Sequence, residues 1–432
     1  MSDQEKPKFK ALIKPQFDAA HQVVGLNIVL SIEFPELSEG SPIVSFPSIV
    51  KPTVSEHSIK FIDGKGELPT ICKPMDDSLT WTLGRQTFGK VKLEYSVLPS
   101  SDKTSLGLHR NQRGLLGCGL AFIPTPVTGK VYRNIVEWDL SEAPRGIRAV
   151  WTFGEGPAPA ERIGLASTLS NSVYVVGPIH SNTSIPVPGS ISPYYGFYWF
   201  GDLPSNIEVI KDMHHALFVE ICDFFEEAPS SDNPYRSFIR NTGTRRSFIG
   251  TSFTRSHIFD YDDQIAEAED YDLVRRAAYE MAHNWLGPPA TEGIDWLYEG
   301  IKNCLSIYFP FRNRFRSAHY FQATISRFCT RYYTNPLINL PQKELLRLVP
   351  ENDYAKELLL ARAWAFVISM DIRTRWLTVG KIKRPVEDLA IKPFSKRRAA
   401  GEAHGIEEWI SFWNHCWVQR QGSGTKTCFL GK

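Results

Sequence analysis

The hydrophobic pattern changes its period partway along this 432-residue chain, which limits it to folds whose strands and helices occupy separate stretches. Residues 1 to about 180 are rich in Pro, Gly, Thr and Val and poor in helix-period patterns. Val23–Leu30 and Lys90–Val97 read as strands, the second alternating with a period of two. Turn signals recur roughly every ten residues, at Asp63-Gly64, Pro124 and Pro126, Pro144–Gly146 and Gly154–Pro159. Short strands with frequent turns predict a β-sandwich-like N-terminal domain over residues 1–180.

From 181 to 432 the character differs. Ser181–Pro193 is a Pro/Ser-rich connector, followed by the aromatic run Tyr194–Phe200. A helix is expected over 206–227, ending in Glu226-Glu227, then a strand over Ser237–Arg240, and mainly helix after about 268. Val274, Ala277, Ala278, Met281, Ala282 and Trp285 recur at helical spacing, with Gly287-Pro288-Pro289 as the stop. Leu297, Gly300, Ile301, Cys304, Leu305 and Tyr308 repeat the pattern up to Pro310. The fold class is therefore α+β. No internal repeat is present.

Charge narrows the partners. Lys and Arg number 49 against 47 Asp and Glu, so a net +2 gives no general attraction to nucleic acid or anionic membrane. Lys396-Arg397-Arg398 reads as a solvated loop, and Arg245-Arg246 with Arg312, Arg314 and Arg316 as solvated or ion-paired faces. Residues 1–10 are polar, so no secretory signal is expected. Ile163–Ile179 is interrupted by Ser167, Ser170, Asn171 and Ser172 and falls short of a membrane span. Seven scattered cysteines (Cys72, Cys118, Cys222, Cys304, Cys329, Cys416 and Cys428) without a C-x-x-C pair fit reduced thiols and a cytoplasmic protein. The sequence carries no signal of oligomeric state.

Tyr279-Glu280-Met281-Ala282-His283-Asn284-Trp285 is one substitution from H-E-x-x-H, in which two histidines on one helix face bind zinc and the glutamate activates water. Trp296-Leu297-Tyr298-Glu299-Gly300, on the next helix, supplies a glutamate in the context of a third ligand. With these motifs the chain resembles the glycyl aminopeptidase-like branch of the gluzincin metallopeptidases, its fungal members in particular. Further similar segments are Ile135–Leu140, Val150–Gly156, Tyr198–Gly201, Pro234–Arg240, Tyr332–Pro336, Tyr354 and Met370–Arg373, spanning roughly residues 130–390.

The resemblance implies a β-rich domain followed by a thermolysin-like, mainly helical catalytic-type domain. It also implies His283 and Glu299 as second and third zinc ligands, Glu280 as general base and Tyr354 as an oxyanion-stabilising tyrosine. Two departures stand out. Position 279 is tyrosine, and where relatives carry a Gly-Gly-x-Glu-His-like substrate motif this chain has Phe248-Ile249-Gly250-Thr251-Ser252-Phe253. A catalytic zinc normally has three protein ligands plus water. Tyr279 could ligate only as a phenolate, and ionising a group of pKa about 10 at neutral pH costs about 4 kcal/mol. No cofactor is expected. If any metal were held, His283 and Glu299 would hold it, with His257 or the His214-His215 pair as replacement ligands.

Glu280, Tyr279, His283 and Tyr354 are thus the candidate catalytic residues, and Tyr198, Trp199, Ser252, Phe253, Trp285 and Tyr298 the candidate substrate-binding ones. Bland alternatives exist for each. Glu280 pairs with Arg276 on the helix surface, Glu299 merely bonds His283, Tyr279 plugs the space of a lost ion, Tyr354 packs at the N-terminus of its helix, and the aromatic run 194–200 packs the core. Gly114–Gly119 reads as a turn or bulge, and no G-x-S-x-G elbow or dinucleotide fingerprint is present. Three functions follow. One is a metal-independent cyclase, isomerase or lyase acting on an apolar small molecule, with fungal secondary metabolite biosynthesis as the setting implied by the resemblance. Another is a residual zinc aminopeptidase using Tyr279, His283 and Glu299. The last is a non-catalytic pseudopeptidase binding peptide or protein. The first is the expectation.

Overall fold

The computed structural model describes residues 6–33, 36–48, 54, 58–75, 77–100, 106–184, 193–242, 249–262, 264–267, 270–287, 295–377 and 383–399. Its contacts divide the chain into two compact units, Met1–His215 with Pro229–Ala268, and Ala216–Ala228 with Glu269–Lys432. Residues 181–268, assigned from sequence to the second domain, thus group mostly with the first by contacts.

Alternation builds the first unit. In Val91–Val97 the residues Val91, Leu93, Tyr95 and Val97 are buried while Lys92, Glu94 and Ser96 face water. That strand sits in a seven-stranded sheet ordered Ala160–Leu165, Val131–Trp138, Lys8–Phe17, Val23–Ile32, Val91–Val97, Lys60–Asp63, Gly66–Glu67. Lys8–Phe17 and Val131–Trp138 pair in parallel, and the other neighbours are antiparallel. A four-stranded and a five-stranded sheet share one core with it, including Phe9, Trp81, Phe122, Trp138, Trp151 and Tyr174. The domain expected as β-sandwich-like is therefore built of three sheets.

The glycine-rich stretch is not a turn. Gly114–Cys118 is an interior strand of the five-stranded sheet, between His109–Asn111 and Val173–Gly177. A Cβ on Gly117 would lie 2.5 Å from the carbonyl oxygen of Gly107, so glycine there permits close backbone packing.

A second five-stranded sheet follows, ordered Ile179–Thr183, Tyr195–Phe200, Tyr235–Asn241, Ser256–Tyr261, Ile249–Phe253. Its three central strands run parallel, and the crossover between the first two contains the helix Ser205–Phe224. Glu226-Glu227 lies just past the helix end, with Glu226 in the left-handed region. The strand expected at 237–240 is the central one, and only Asn241 escapes full burial.

The second unit is helical. Its main helices are Asp270–Leu286, Asp295–Arg312, Ala318–Tyr333, Gln342–Leu348, Asp353–Leu377 and Lys392–Ala399. Gly287 ends the first with φ 62° and an N–H donated to the His283 carbonyl. The second does not stop at Pro310 but runs on to Arg312, whose guanidinium forks onto the Glu387 carboxylate. Proline removes one backbone donor without preventing the following residues from staying helical. Lys396 and Arg397, expected in a loop, are helical, and Lys396 pairs with Glu226 at 2.7 Å. Arg245, Arg246, Phe248, Pro288, Pro289, Cys416, Cys428, the side chain of Arg398 and most of the Ser181–Pro193 connector lie outside the described residues.

Candidate active site

Helical spacing places Tyr279 and His283 one turn apart on the helix Asp270–Leu286, their rings 5.1 Å apart and edge to face. Glu280 is buried beside them at 7 % exposure. From the helix Asp295–Arg312, Glu299 reaches the same place. The Tyr279 hydroxyl donates to Glu299 Oε2, and the Lys302 ammonium donates to Glu299 Oε1. Lys302 Nζ also stands 3.1 Å from His283 Nε2 and 3.4 Å from Nδ1, and 5.2 Å from the centroid of the Tyr279 ring. Asn303 Nδ2 donates to the Glu299 carbonyl at 2.8 Å, bracing the turn that carries the carboxylate.

These contacts join a phenol, a carboxylate, an ammonium and an imidazole into one hydrogen-bonded set. The Lys302 side chain is only 4 % exposed, whereas Glu299 retains 29 %, so the set opens to solvent on the carboxylate side. Burial drives the Tyr279 pKa well above the usual tyrosine value, and the Glu299 carboxylate adds to this. Burial pulls the Lys302 pKa below the ordinary lysine value, with the charges of Glu299 and Glu280 opposing the shift.

The donor set fits zinc poorly. His283 and Glu299 are two protein ligands, the third position holds a phenol that burial keeps protonated, and a lysine ammonium bonds both remaining ligands. Among the described residues no group of three or more His, Cys, Asp and Glu side chains is arranged to hold a metal ion. The histidines considered as replacements belong to the first unit. His257 Nδ1 and Nε2 are engaged by the Tyr235 and Ser237 hydroxyls, each at 2.8 Å, and His214 Nδ1 by the Tyr195 hydroxyl at 2.6 Å.

The other predicted residues fall in both units, Trp285 and Tyr298 on the same two helices as the linked set. Tyr354 opens the helix Asp353–Leu377 and is 59 % exposed, and among the described residues its one hydrogen bond beyond that helix is from Asn335 Nδ2 to its backbone carbonyl. Tyr198 is fully buried, donates to Glu155 Oε1 at 2.7 Å and stacks on Phe238. Trp199 stacks on His180. Ser252 and Phe253 end the edge strand Ile249–Phe253 in the first unit. In the second unit Trp285 stacks flat on Phe225 and donates from Nε1 to Glu227 Oε2 at 2.8 Å, and Tyr298 is buried. Lys302 is the site residue that sequence reading missed. Its signal was a charge at i+3 from Glu299 and i−3 from Leu305, within the apolar stripe of its helix.

No family model matches the sequence, and no curated protein does. Solved structures match its fold. An aminopeptidase N family protein from Idiomarina loihiensis superposes with a TM-score of 0.67 at 15 % identity, covering 91 % of this chain and 71 % of that one. An M1 zinc metallopeptidase from Deinococcus radiodurans gives 0.53 at 14 % identity, covering 96 % and 92 %. A mutant of it bound to a Tyr-Ser-Ala substrate gives 0.53 at 14 % identity, covering 95 % and 91 %. The chain thus shares the fold of these M1 aminopeptidases, a mixed α+β architecture of several sheets followed by a helical region.

Proposed function

We propose that the chain is a metal-independent enzyme that performs proton-transfer chemistry (cyclisation, isomerisation or elimination) on an apolar small molecule. In this reading Tyr279-Glu280-Met281-Ala282-His283 is the remnant of an H-E-x-x-H helix in a thermolysin-like domain, put to a new use. The observation that carries it is the linked set of Tyr279, Glu299, Lys302 and His283 beside buried Glu280. Such reactions need protons moved and a substrate held in shape, both of which side chains supply. Glu280 is the acceptor, its carboxylate lying close enough to bear on both Tyr279 and Lys302. Tyr279, held neutral, is the donor. A cytoplasmic setting goes with this reading. Among the described residues no helix is long and apolar enough to cross a membrane.

The likeness to zinc metallopeptidases favours a second reading, a residual zinc aminopeptidase using Tyr279, His283 and Glu299. One measurement separates the two. Purified protein is assayed for zinc content and for cleavage of aminoacyl p-nitroanilides and short peptides, with and without a chelator. The expected result is substoichiometric zinc and no cleavage. One zinc per chain together with chelator-sensitive cleavage would overturn the proposal. For the acid–base role, Glu280→Gln is expected to lower turnover of the natural substrate by at least about 100-fold with an unchanged unfolding curve. Full turnover in that variant would remove Glu280 from the reaction.

A further inference from the structure

We propose that the Lys302 ammonium is a built-in cation standing where a metal ion would join His283 to Glu299. Lys302, more than the tyrosine at 279, then keeps metal out, whatever reaction the site performs. Three observations carry this. The ammonium donates to Glu299 Oε1 and lies 3.1 Å from His283 Nε2, so it bridges the two side chains that remain from a three-ligand set. Its side chain is 4 % exposed, and a buried charge of this kind persists only where its partners are fixed. Tyr279 donates to the other Glu299 oxygen, leaving the carboxylate with a proton donor on each side.

Zinc bonds imidazole nitrogen and carboxylate oxygen at about 2.0–2.2 Å. An ion bonded to Nε2 and Oε1 would have to displace the ammonium from its contacts with both atoms, or meet its charge. Restoring a histidine at 279 supplies the third ligand but leaves the cation in place.

The test uses wild type, Tyr279→His and Tyr279→His/Lys302→Ser, stripped with chelator and titrated with zinc chloride by calorimetry, with elemental analysis after dialysis. The double variant is expected to bind one zinc at least about 100-fold more tightly than Tyr279→His, at or beyond the effect of a metal site's outer-shell groups. Equal zinc affinity in Tyr279→His and the double variant would overturn the proposal, as would a double variant no tighter than wild type. Should the double variant not fold, denaturant unfolding of Lys302→Met, Glu299→Gln and their combination decides. Lys302→Met should lower the midpoint strongly alone and much less with Glu299→Gln present. Equal losses in both backgrounds would mean that Lys302 does not serve as the counter-cation of Glu299, and the proposal falls.

Discussion

At residue 279 a phenol takes the place of an imidazole, and the exchange alters the chemistry around it. Imidazole offers a lone pair to a cation, whereas the Tyr279 hydroxyl offers a proton to Glu299. Burial and the neighbouring carboxylate hold that proton in place, so Tyr279 acts as a donor across the physiological range. Tyr279→Phe should therefore cost about 1.5 kcal/mol of stability, the low end for a hydrogen bond to a charged group because the carboxylate is partly exposed, read from urea unfolding. Its turnover should fall with that of Glu280→Gln if both share one proton path. The sequence exposed Tyr279, Glu280, His283 and Glu299 through their spacing. Lys302 was equally visible as a letter, but its role depends on which face of its helix meets the helix Asp270–Leu286, and spacing within one helix does not say.

Among elements, the approach of the helices Asp295–Arg312 and Asp353–Leu377 is set by one small residue. A Cβ on Gly300 would sit 2.6 Å from the carbonyl carbon and oxygen of Ala363, backbone that cannot swing aside. Two effects oppose each other in Gly300→Ala. Alanine favours a helix over glycine by about 1 kcal/mol, while forcing extra volume into a packed contact costs about 1–3 kcal/mol. With backbone as the obstacle the steric term should win, and differential scanning calorimetry should show a lower Tm. A higher Tm would mean that the helices separate freely. Since Gly300 follows Glu299 directly, displacement of this helix would also disturb the carboxylate. The helices themselves were legible from apolar periodicity, as was the cap at Gly287. The continuation past Pro310 was not, because the Arg312 grip on Glu387 joins residues far apart in sequence.

At the scale of the whole molecule, stability should depend on acid through the parallel sheet of the first unit. His257 is fully buried between the Tyr235 and Ser237 hydroxyls, its ring 5.2 Å from that of His214, which bonds Tyr195. Burial pushes the His257 pKa down to about 3, and His214 and half-buried His215 are lowered as well. In the folded chain His257 and His214 stay neutral and His215 takes its proton later than usual, while the unfolded chain takes up protons below about pH 6.5. Stability is therefore complete above that pH and declines as pH falls from about 6.5 toward 3, at up to about 1.4 kcal/mol per pH unit for each group. Urea unfolding at pH 7.5 and pH 5 should show the decline, and His257→Asn should flatten the slope whatever it costs at pH 7.5. An equal slope in wild type and variant would rule His257 out as the source. A second acid-sensitive pair, Asp63 with Arg85, adds to the decline below about pH 4. The guanidinium holds the Asp63 carboxyl far below the usual carboxylate range, and its contribution is lost once the carboxyl is protonated.

Local chemistry in the sequence determined the order of the elements: alternating apolar residues for the strands, helical spacing for the later segments, and the E-x-x-H and W-x-Y-E-G motifs on two successive helices. These features depend on neighbours a few residues apart, so they are written along the chain. Tertiary structure alone decided that Gly114–Cys118 is an interior strand, that three sheets share one core, and that Tyr198 stacks on Phe238 and Trp285 on Phe225. It also decided that a lysine bridges the residues expected to hold a metal. Burial and contact between distant segments set each of these outcomes, and both arise only when the elements pack together.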